Sequence, residues 1–391
     1  MSAADWVLEC SSCDNRRGAE GLPTVCDVCG LPWLVRYPDR VATLVDRAEV
    51  RRRHGMWRFR PFLPLLPDEM PISLGEGDTP LLHVHRAGAR LGLAQLWIKD
   101  EGTNPTGSFK ARGLSAAITR AVAAGADRFV LPTAGNAGVA AAAYGARAGT
   151  PVRVYAPQTT PPTILNQMLV FGADLVLLDG HIGDCGQAAR AYAAETGAVD
   201  LSTLREPYRL EGKKTLGLEL ALQMGWTFPS AIIYPTGGGT GLIGMWKAFL
   251  ELRAAGWVHG ELPRMYTVQS AGCAPVVRAF EAGDEACEPW VDPWTVASGL
   301  RVPAPLGGRL MLRILRETGG SAVTVEDAGL EREAALGSRE EGIDLSPEGG
   351  AALAAAGALR ERGDLAAGER VVAFNTGAGW LYREPMGLPL V

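Results

Sequence analysis

Lys110 stands where a lysine is hard to explain by solvation alone. The stretch from Lys99 to Gly113 reads Lys-Asp-Glu-Gly-Thr-Asn-Pro-Thr-Gly-Ser-Phe-Lys-Ala-Arg-Gly. An apolar strand pattern (Leu96, Trp97, Ile98) runs into a turn cluster from Gly102 to Gly107. Apolar residues then recur at Leu114, Ala117, Ile118, Ala121 and Val122, the spacing of one buried helical face, with Ser108 as the expected N-cap. Lys110 therefore falls in the first turn of a helix, where the dipole favours negative charge and disfavours a cation. The chain holds only five lysines (Lys99, Lys110, Lys213, Lys214 and Lys247), so a general abundance of lysine does not account for it. One chemistry that uses such a lysine is Schiff-base formation, with the nitrogen bound as an imine. The plain alternative is a surface lysine at a helix start.

A second set of residues suits metal binding. Cys10-x2-Cys13 is followed, after twelve residues, by Cys26-x2-Cys29 and Gly30. Two close pairs can place four thiolates around one tetrahedral zinc, and such a site has no open position, so it is read as structural. A redox pair or a remnant that no longer binds metal are the alternatives. The other three cysteines, Cys185, Cys273 and Cys287, are isolated, and an odd count with single thiols predicts a reducing cytoplasm.

Four further motifs offer groups that hold anions or orient ligands. Thr133-Ala134-Gly135-Asn136 follows an apolar run and opens a Gly/Ala-rich helix whose first N–H groups can hold a carboxylate. Gly237-Gly238-Gly239-Thr240-Gly241 lies between a strand and a helix, where side-chain-free backbone can wrap a phosphate. It lacks the lysine of a nucleotide phosphate loop. Phe374-Asn375-Thr376-Gly377-Ala378-Gly379 ends the last strand. Tyr208-Arg209-Leu210-Glu211-Gly212-Lys213-Lys214-Thr215 carries an arginine fork suited to phosphate, with an exposed basic helix start as the alternative.

The run Asn104-Pro105-Thr106-Gly107-Ser108-Phe109-Lys110 resembles the pyridoxal-phosphate lysine motif of threonine synthases and their relatives, which include serine and threonine dehydratases and cysteate synthase. Gly75-Glu76-Gly77-Asp78-Thr79-Pro80-Leu81 resembles the motif near the start of the same family's catalytic domain, and the agreement continues through residues 71–391. The resemblance implies that Lys110 forms the Schiff base and then removes the α-proton. It implies that Asn136 meets the cofactor ring hydroxyl, that Gly237 to Gly241 hold its phosphate and that Thr376 faces its pyridine nitrogen. Substrate contacts are expected from Thr79, Thr133, Ala134, Gly135, Ser202 and Arg209. A zinc ribbon on Cys10, Cys13, Cys26 and Cys29 and a homodimer are also usual in such chains.

The favoured reaction is conversion of O-phospho-L-homoserine to threonine and phosphate. A serine/threonine dehydratase, a β-replacement synthase and a catalytically silent binding relative are the alternatives. Three departures bear on the choice: Ala111 replaces an aspartate of the family pattern, Ala134 and Ala137 replace hydroxyl residues, and Asp200-Leu201-Ser202 stands where an asparagine is common. Each lost donor to a phosphorylated substrate is worth about 1 kcal/mol.

The elements that must position these groups are readable from periodicity. Apolar runs at Phe129–Pro132, Val152–Ala156, Leu175–Leu178 and Ala198–Leu201 alternate with helices beginning near Asn136, Pro162 and Asp184. A second series runs Ala231–Tyr234, Arg264–Gln269, Ala322–Val325 and Arg370–Phe374, with helices at Thr240–Ala255 and Pro347–Arg362 between strands. Strands separated by helices predict parallel βαβ winding, and ligands bind beyond strand C-termini in such sheets. The expected architecture is α/β, with two doubly wound parallel-sheet domains of pyridoxal-phosphate fold type II after a small zinc-ribbon-like module. The domains are expected at 1–37 (ribbon), 38–70 (linker) and 71–391 (catalytic region). Within the last, a smaller substrate-side domain at about 110–205 is expected beside a larger one formed by 71–109 and 206–391. Val41 to Arg53 has a charged helical pattern, and Pro61, Pro64, Pro67 and Pro71 interrupt any longer helix. His83 and His85 alternate as on a strand, without ligand partners.

A net charge of −5 and the lack of a basic stripe argue against nucleic acid as a partner. No apolar run approaches membrane-spanning length, and the first ten residues have no leader pattern. The expected partner is a small amino acid.

Overall fold

The computed structural model describes residues 6–37 and 47–383. They fall into two compact units: Met1–Asp78 with Lys110–Thr215, and Thr79–Phe109 with Leu216–Val391. Both units are α/β.

Among the described residues, the first unit contains two sheets. A small antiparallel sheet has the order Arg16–Gly18, Val7–Cys10, Trp33–Arg36. A parallel sheet has the order Asp174–Leu178, Val152–Pro157, Phe129–Pro132, Val199–Asp200. Its central strands are short apolar runs because helices cover them: Val130, Leu131 and Val154 are all buried. The helices include Lys110–Ala123, Asn136–Ala148, Pro162–Val170 and Ile182–Thr196. Small residues let them pack closely, and a Cβ at Gly138 would come within 2.9 Å of Met168 Sδ. The cysteine-bearing sheet shares the unit's core, since Trp6, Leu8, Trp33 and Val35 pack in one cluster with Leu114, Ile118, Val139 and Tyr144.

The second unit is built on a six-stranded sheet, ordered Ala322–Val325, Arg264–Ser270, Ala231–Pro235, Arg370–Asn375, Gln95–Asp100, Leu81–His83. All neighbours are parallel except the last pair. Its helices include Thr240–Ala254, Gly308–Glu317, Asp327–Glu341 and Pro347–Glu361. Pro347–Glu361 supplies Ala351, Ala352, Leu353, Ala355 and Ala356 to the core that covers Ile233, Val371 and Ala373.

Several local expectations change. The helix begins at Lys110, so Ser108 lies one residue before the cap position and pairs instead with Gly377 in an isolated bridge. His85 is not on a strand with His83; it starts the helix His85–Arg90, and the two rings meet edge to face at 3.9 Å. Of the expected helix Val41–Arg53, residues 41–46 lie outside the described residues, and Arg47–Arg52 is helical with Arg51 and Arg52 exposed at its end. Pro61 lies inside the 3-10 turn Met56–Phe62, where Met56, Phe59 and Phe62 are buried.

Candidate active site

In the second unit, three adjacent parallel strands end on the same edge of the sheet. Ala231–Pro235 leads into the glycine loop, Arg370–Asn375 into Thr376, and Gln95–Asp100 into the loop that precedes Lys110. Pairing continues beyond the strands: Phe109 N donates to Thr376 O at 3.0 Å, and Ala378 N donates to Gly107 O at 2.8 Å. Thr376 is thus fixed beside the residue immediately before Lys110. Gly107 has φ of +68°, and a Cβ there would meet Leu381 at 3.0 Å, so the turn requires glycine.

A buried polar network braces this edge. Lys99 Nζ donates to Glu219 Oε1 at 2.5 Å and to Thr79 O at 2.6 Å. Thr79 Oγ1 lies 2.6 Å from Glu101 Oε1, to which it donates, and Asn104 Nδ2 donates to Glu101 Oε2 at 2.9 Å. The Thr79 hydroxyl therefore joins two strands to the lysine loop. Beside it, Asn375 Nδ2 donates to Asp100 Oδ1 at 2.8 Å, while burial pushes the Asp100 carboxyl above its ordinary range.

The glycine loop follows Thr236, whose hydroxyl lies 2.8 Å from that of Thr267. Gly239 is the N-cap of Thr240–Ala254, with φ of +79°. A Cβ at Gly237, Gly239 or Gly241 would run into Gly299 O, Met311 Sδ or the Tyr234 hydroxyl respectively. These are positions only glycine fills, and glycine puts no side chain of its own between the backbone N–H groups of the loop and a ligand. Such donors fit a phosphate dianion, so the loop suits the phosphate of pyridoxal phosphate.

In the first unit, the corresponding groups again follow C-terminal strand ends. Lys110 opens its helix and is half-buried. Thr133 follows Phe129–Pro132; its Oγ1 accepts from Gly135 N at 3.1 Å, and Gly135 caps the helix that Asn136 opens. The neighbouring strand Val199–Asp200 continues into Leu201, whose N donates to Val130 O at 2.9 Å, and Ser202, whose hydroxyl is held by Asp200. Arg209 Nη1 donates to Leu201 O, which ties the arginine to this strand end.

Arg209 is only 2% exposed, and Lys213 and Lys214 are fully buried, so the segment is not an exposed basic helix start. Burial pulls the Arg209 guanidinium below its usual range, with Glu206 and Asp200 opposing the shift. Glu206 accepts backbone hydrogen bonds from Tyr208 N at 2.7 Å and Arg209 N at 3.1 Å. The helix carrying Arg209 crosses the Lys110 helix on glycines. A Cβ at Gly113 would meet Lys213 Cε at 2.8 Å and Arg209 O at 3.1 Å, and one at Gly212 would overlap Arg112 O. Sequence reasoning gave no role to Glu206, Gly113 or Gly212; an acid three residues before the arginine and paired helix glycines were the available signals. Glu76 lies in the Gly75–Leu81 motif, whose sequence alone assigns it no separate role.

The four N-terminal cysteines come together, with all sulfurs within 4.8 Å of one another. Cys10 Sγ is 3.3 Å from Cys29 Sγ and Cys13 Sγ is 3.7 Å from Cys26 Sγ. Thiolates around a tetrahedral zinc are about 3.8 Å apart, so the donor set fits that ion.

Comparisons with known proteins agree with this chemistry. The family described as pyridoxal-phosphate dependent enzyme matches residues 72–377. Threonine synthase of Methanocaldococcus jannaschii is 31% identical over 95% of this chain and 92% of its own length. That of Methanosarcina acetivorans is 31% identical over 97% and 93% respectively. Among solved structures, a T.th. threonine deaminase superposes with a TM-score of 0.64 at 26% identity, covering 77% of this chain and 92% of that one. Maize serine racemase, at 22% identity and a TM-score of 0.66 over 77% and 88%, shares the fold.

Proposed function

Because the chain belongs to the family of pyridoxal-phosphate dependent enzymes, and within it to the threonine synthase-like group, we propose that it converts O-phospho-L-homoserine to threonine and phosphate. The observation that carries this reading is the edge where three neighbouring strands present the glycine loop, Thr376 and the loop leading into Lys110. It is supported by 31% identity to threonine synthases across nearly the whole chain.

In this reading Lys110 attaches the cofactor and, once its amine is released, takes the α-proton of the substrate and returns protons in later steps. Gly237 to Gly241 hold the phosphate group through backbone N–H donors, and Asn136 orients the ring. Bound pyridoxal phosphate would supply the sink for the electron pair left at the α-carbon. Thr376 gives the ring nitrogen a neutral partner, which moderates that sink and limits transamination. Thr133 to Gly135 receive the substrate carboxylate, and Ser202 and Arg209 its phosphate. Zinc on the four cysteines acts structurally. A homodimer in the cytoplasm is the expected state.

One observation favours a second reading, elimination of ammonia from a hydroxy amino acid. Arg209 is buried with its Nη1 already donating to Leu201 O, and Ala134 and Ala137 offer no hydroxyl to a phosphate. Purified protein loaded with pyridoxal phosphate and given O-phospho-L-homoserine, L-threonine or L-serine separates the two. Equimolar phosphate and threonine from the first substrate, lost in Lys110→Ala, is the expected result. Keto acid from threonine or serine without phosphate release would transfer the enzyme to the second reading.

A further inference from the structure

We propose that Glu76 is the positioning residue that holds the helices Lys110–Ala123 and Asn136–Ala148 in register, and so sets where Lys110 and Asn136 stand within the first unit. The inference rests on the roles given above to those two residues.

Glu76 is completely buried, between Gly75 and Gly77. Its Oε2 accepts from the Tyr144 hydroxyl at 2.6 Å, Leu74 N at 2.9 Å and the Ser73 hydroxyl at 3.2 Å. Its Oε1 accepts from the Trp57 indole at 2.9 Å and lies 2.6 Å from Ser115 Oγ. Ser115 is five residues into the Lys110 helix, and Tyr144 eight residues into the Asn136 helix. One carboxyl therefore grips both helices, about 8 and 12 Å along their axes from the ends that carry the site. Burial and the Glu76 charge push the Tyr144 phenol far above its ordinary value, which keeps it a donor.

The Ser115 proton has two acceptors in reach, Glu76 Oε1 and Ile72 O at 2.7 Å, and Thr119 Oγ1 accepts from Ile72 N at 2.9 Å. The Lys110 helix thus holds the whole segment 72–76, and Glu76 passes that hold to Tyr144. Glutamate is required because its two oxygens face only donors. A glutamine would turn an N–H2 group toward one side of the cluster and leave those donors unmet.

A carboxyl that merely fills the core would affect stability and nothing else, so the test separates the two. The variants Ser115→Ala and Tyr144→Phe each cut one tie with minimal change of shape; they are combined in a double-mutant cycle with Lys110→Ala as a control. Melting temperature, pyridoxal phosphate dissociation constant from visible absorption, and kcat and KM are read for each. Each single variant is expected to lower kcat and weaken cofactor binding by about five-fold, with KM changed by less than about two-fold. Once one tie is cut the other no longer transmits, so the double variant should lose about five-fold less than the product of the singles. Independent, multiplicative losses, or losses confined to melting temperature, would overturn the role of Glu76. Turnover and tight cofactor binding surviving in Lys110→Ala would instead overturn the functional reading beneath it.

Discussion

Glu206 and Arg209 lie against one another out of contact with bulk water, and the pair gives the first unit a pH response. Burial pushes the Glu206 carboxyl from 4.5 up to about 7, with Arg209 and two backbone N–H groups drawing it back. The unfolded chain gives up this proton near 4.5 and the folded chain near 7. The contribution to stability is complete below the lower value and declines as pH rises through the window, because the unfolded state binds fewer protons there. That decline is on the order of 3 kcal/mol between the two limits. Glu206→Gln cannot ionise, so its urea-unfolding free energy should fall less than that of the natural protein between pH 5 and 7.5. Parallel curves for the two proteins would show that Glu206 titrates normally. At position 376, Thr376→Asp should shift the visible absorption of bound pyridoxal phosphate and raise the share of transamination; an unchanged spectrum would remove Thr376 from the ring nitrogen. The place of Lys110 was legible because apolar spacing marks a helix start. The burial of Arg209 was not, since a nearby acid fits an exposed arginine equally well and the Leu201 carbonyl reaches the guanidinium only on folding.

At the scale of elements, the strands and most helices followed from apolar runs and their spacing. Phe129–Pro132 and Ala322–Val325 were readable to the residue. Local chemistry was less reliable where a distant partner competes. Ser108 has the side chain of a cap, yet its backbone pairs with Gly377, a residue 269 positions away. His83 and His85 alternate as in a strand, but Leu81–His83 is only three residues long and the helix takes over at His85. The glycines at 113 and 212 are visible as helix glycines, but nothing in either helix alone says that they cross one another. The crossing is nonetheless among the closest contacts in the unit. Gly212→Ala should destabilise the protein by about 3 kcal/mol, since the backbone of Arg112 would have to move. Gly125→Ala, at a turn with φ of +90° and nothing within 4 Å, should cost only about 1 kcal/mol. Equal losses in denaturant melts would show that the crossing has slack.

At the scale of the whole chain, the cysteine-bearing sheet was legible as a four-cysteine module but not as part of a larger core. Spacing identifies ligands; it says nothing about what their scaffold packs against. Trp6 and Trp33 are buried in the cluster that also holds Leu114 and Ile118 of the Lys110 helix. The Arg120 guanidinium of that helix sits 5.0 Å from the Trp6 ring. Removal of a zinc held by the four cysteines should therefore be felt beyond the ribbon. Cys26→Ser, or a strong chelator, should lower the melting temperature by roughly 5–10 °C and release one zinc per chain. An unchanged melt with no metal released would leave the four cysteines as thiols only.

That shared core has a consequence for how this segment can be inherited or exchanged. A domain joined by a tether can be lost, duplicated or swapped between genes with little harm to its neighbour. Here the scaffold of Trp6, Leu8, Trp33 and Val35 forms part of the wall against which the Lys110 helix lies. A chain lacking this segment would present an oily scar along the Lys110 helix, and a foreign ribbon would have to match that wall side chain by side chain. Residues 6–37 are thus bound to change in step with the helix they cover.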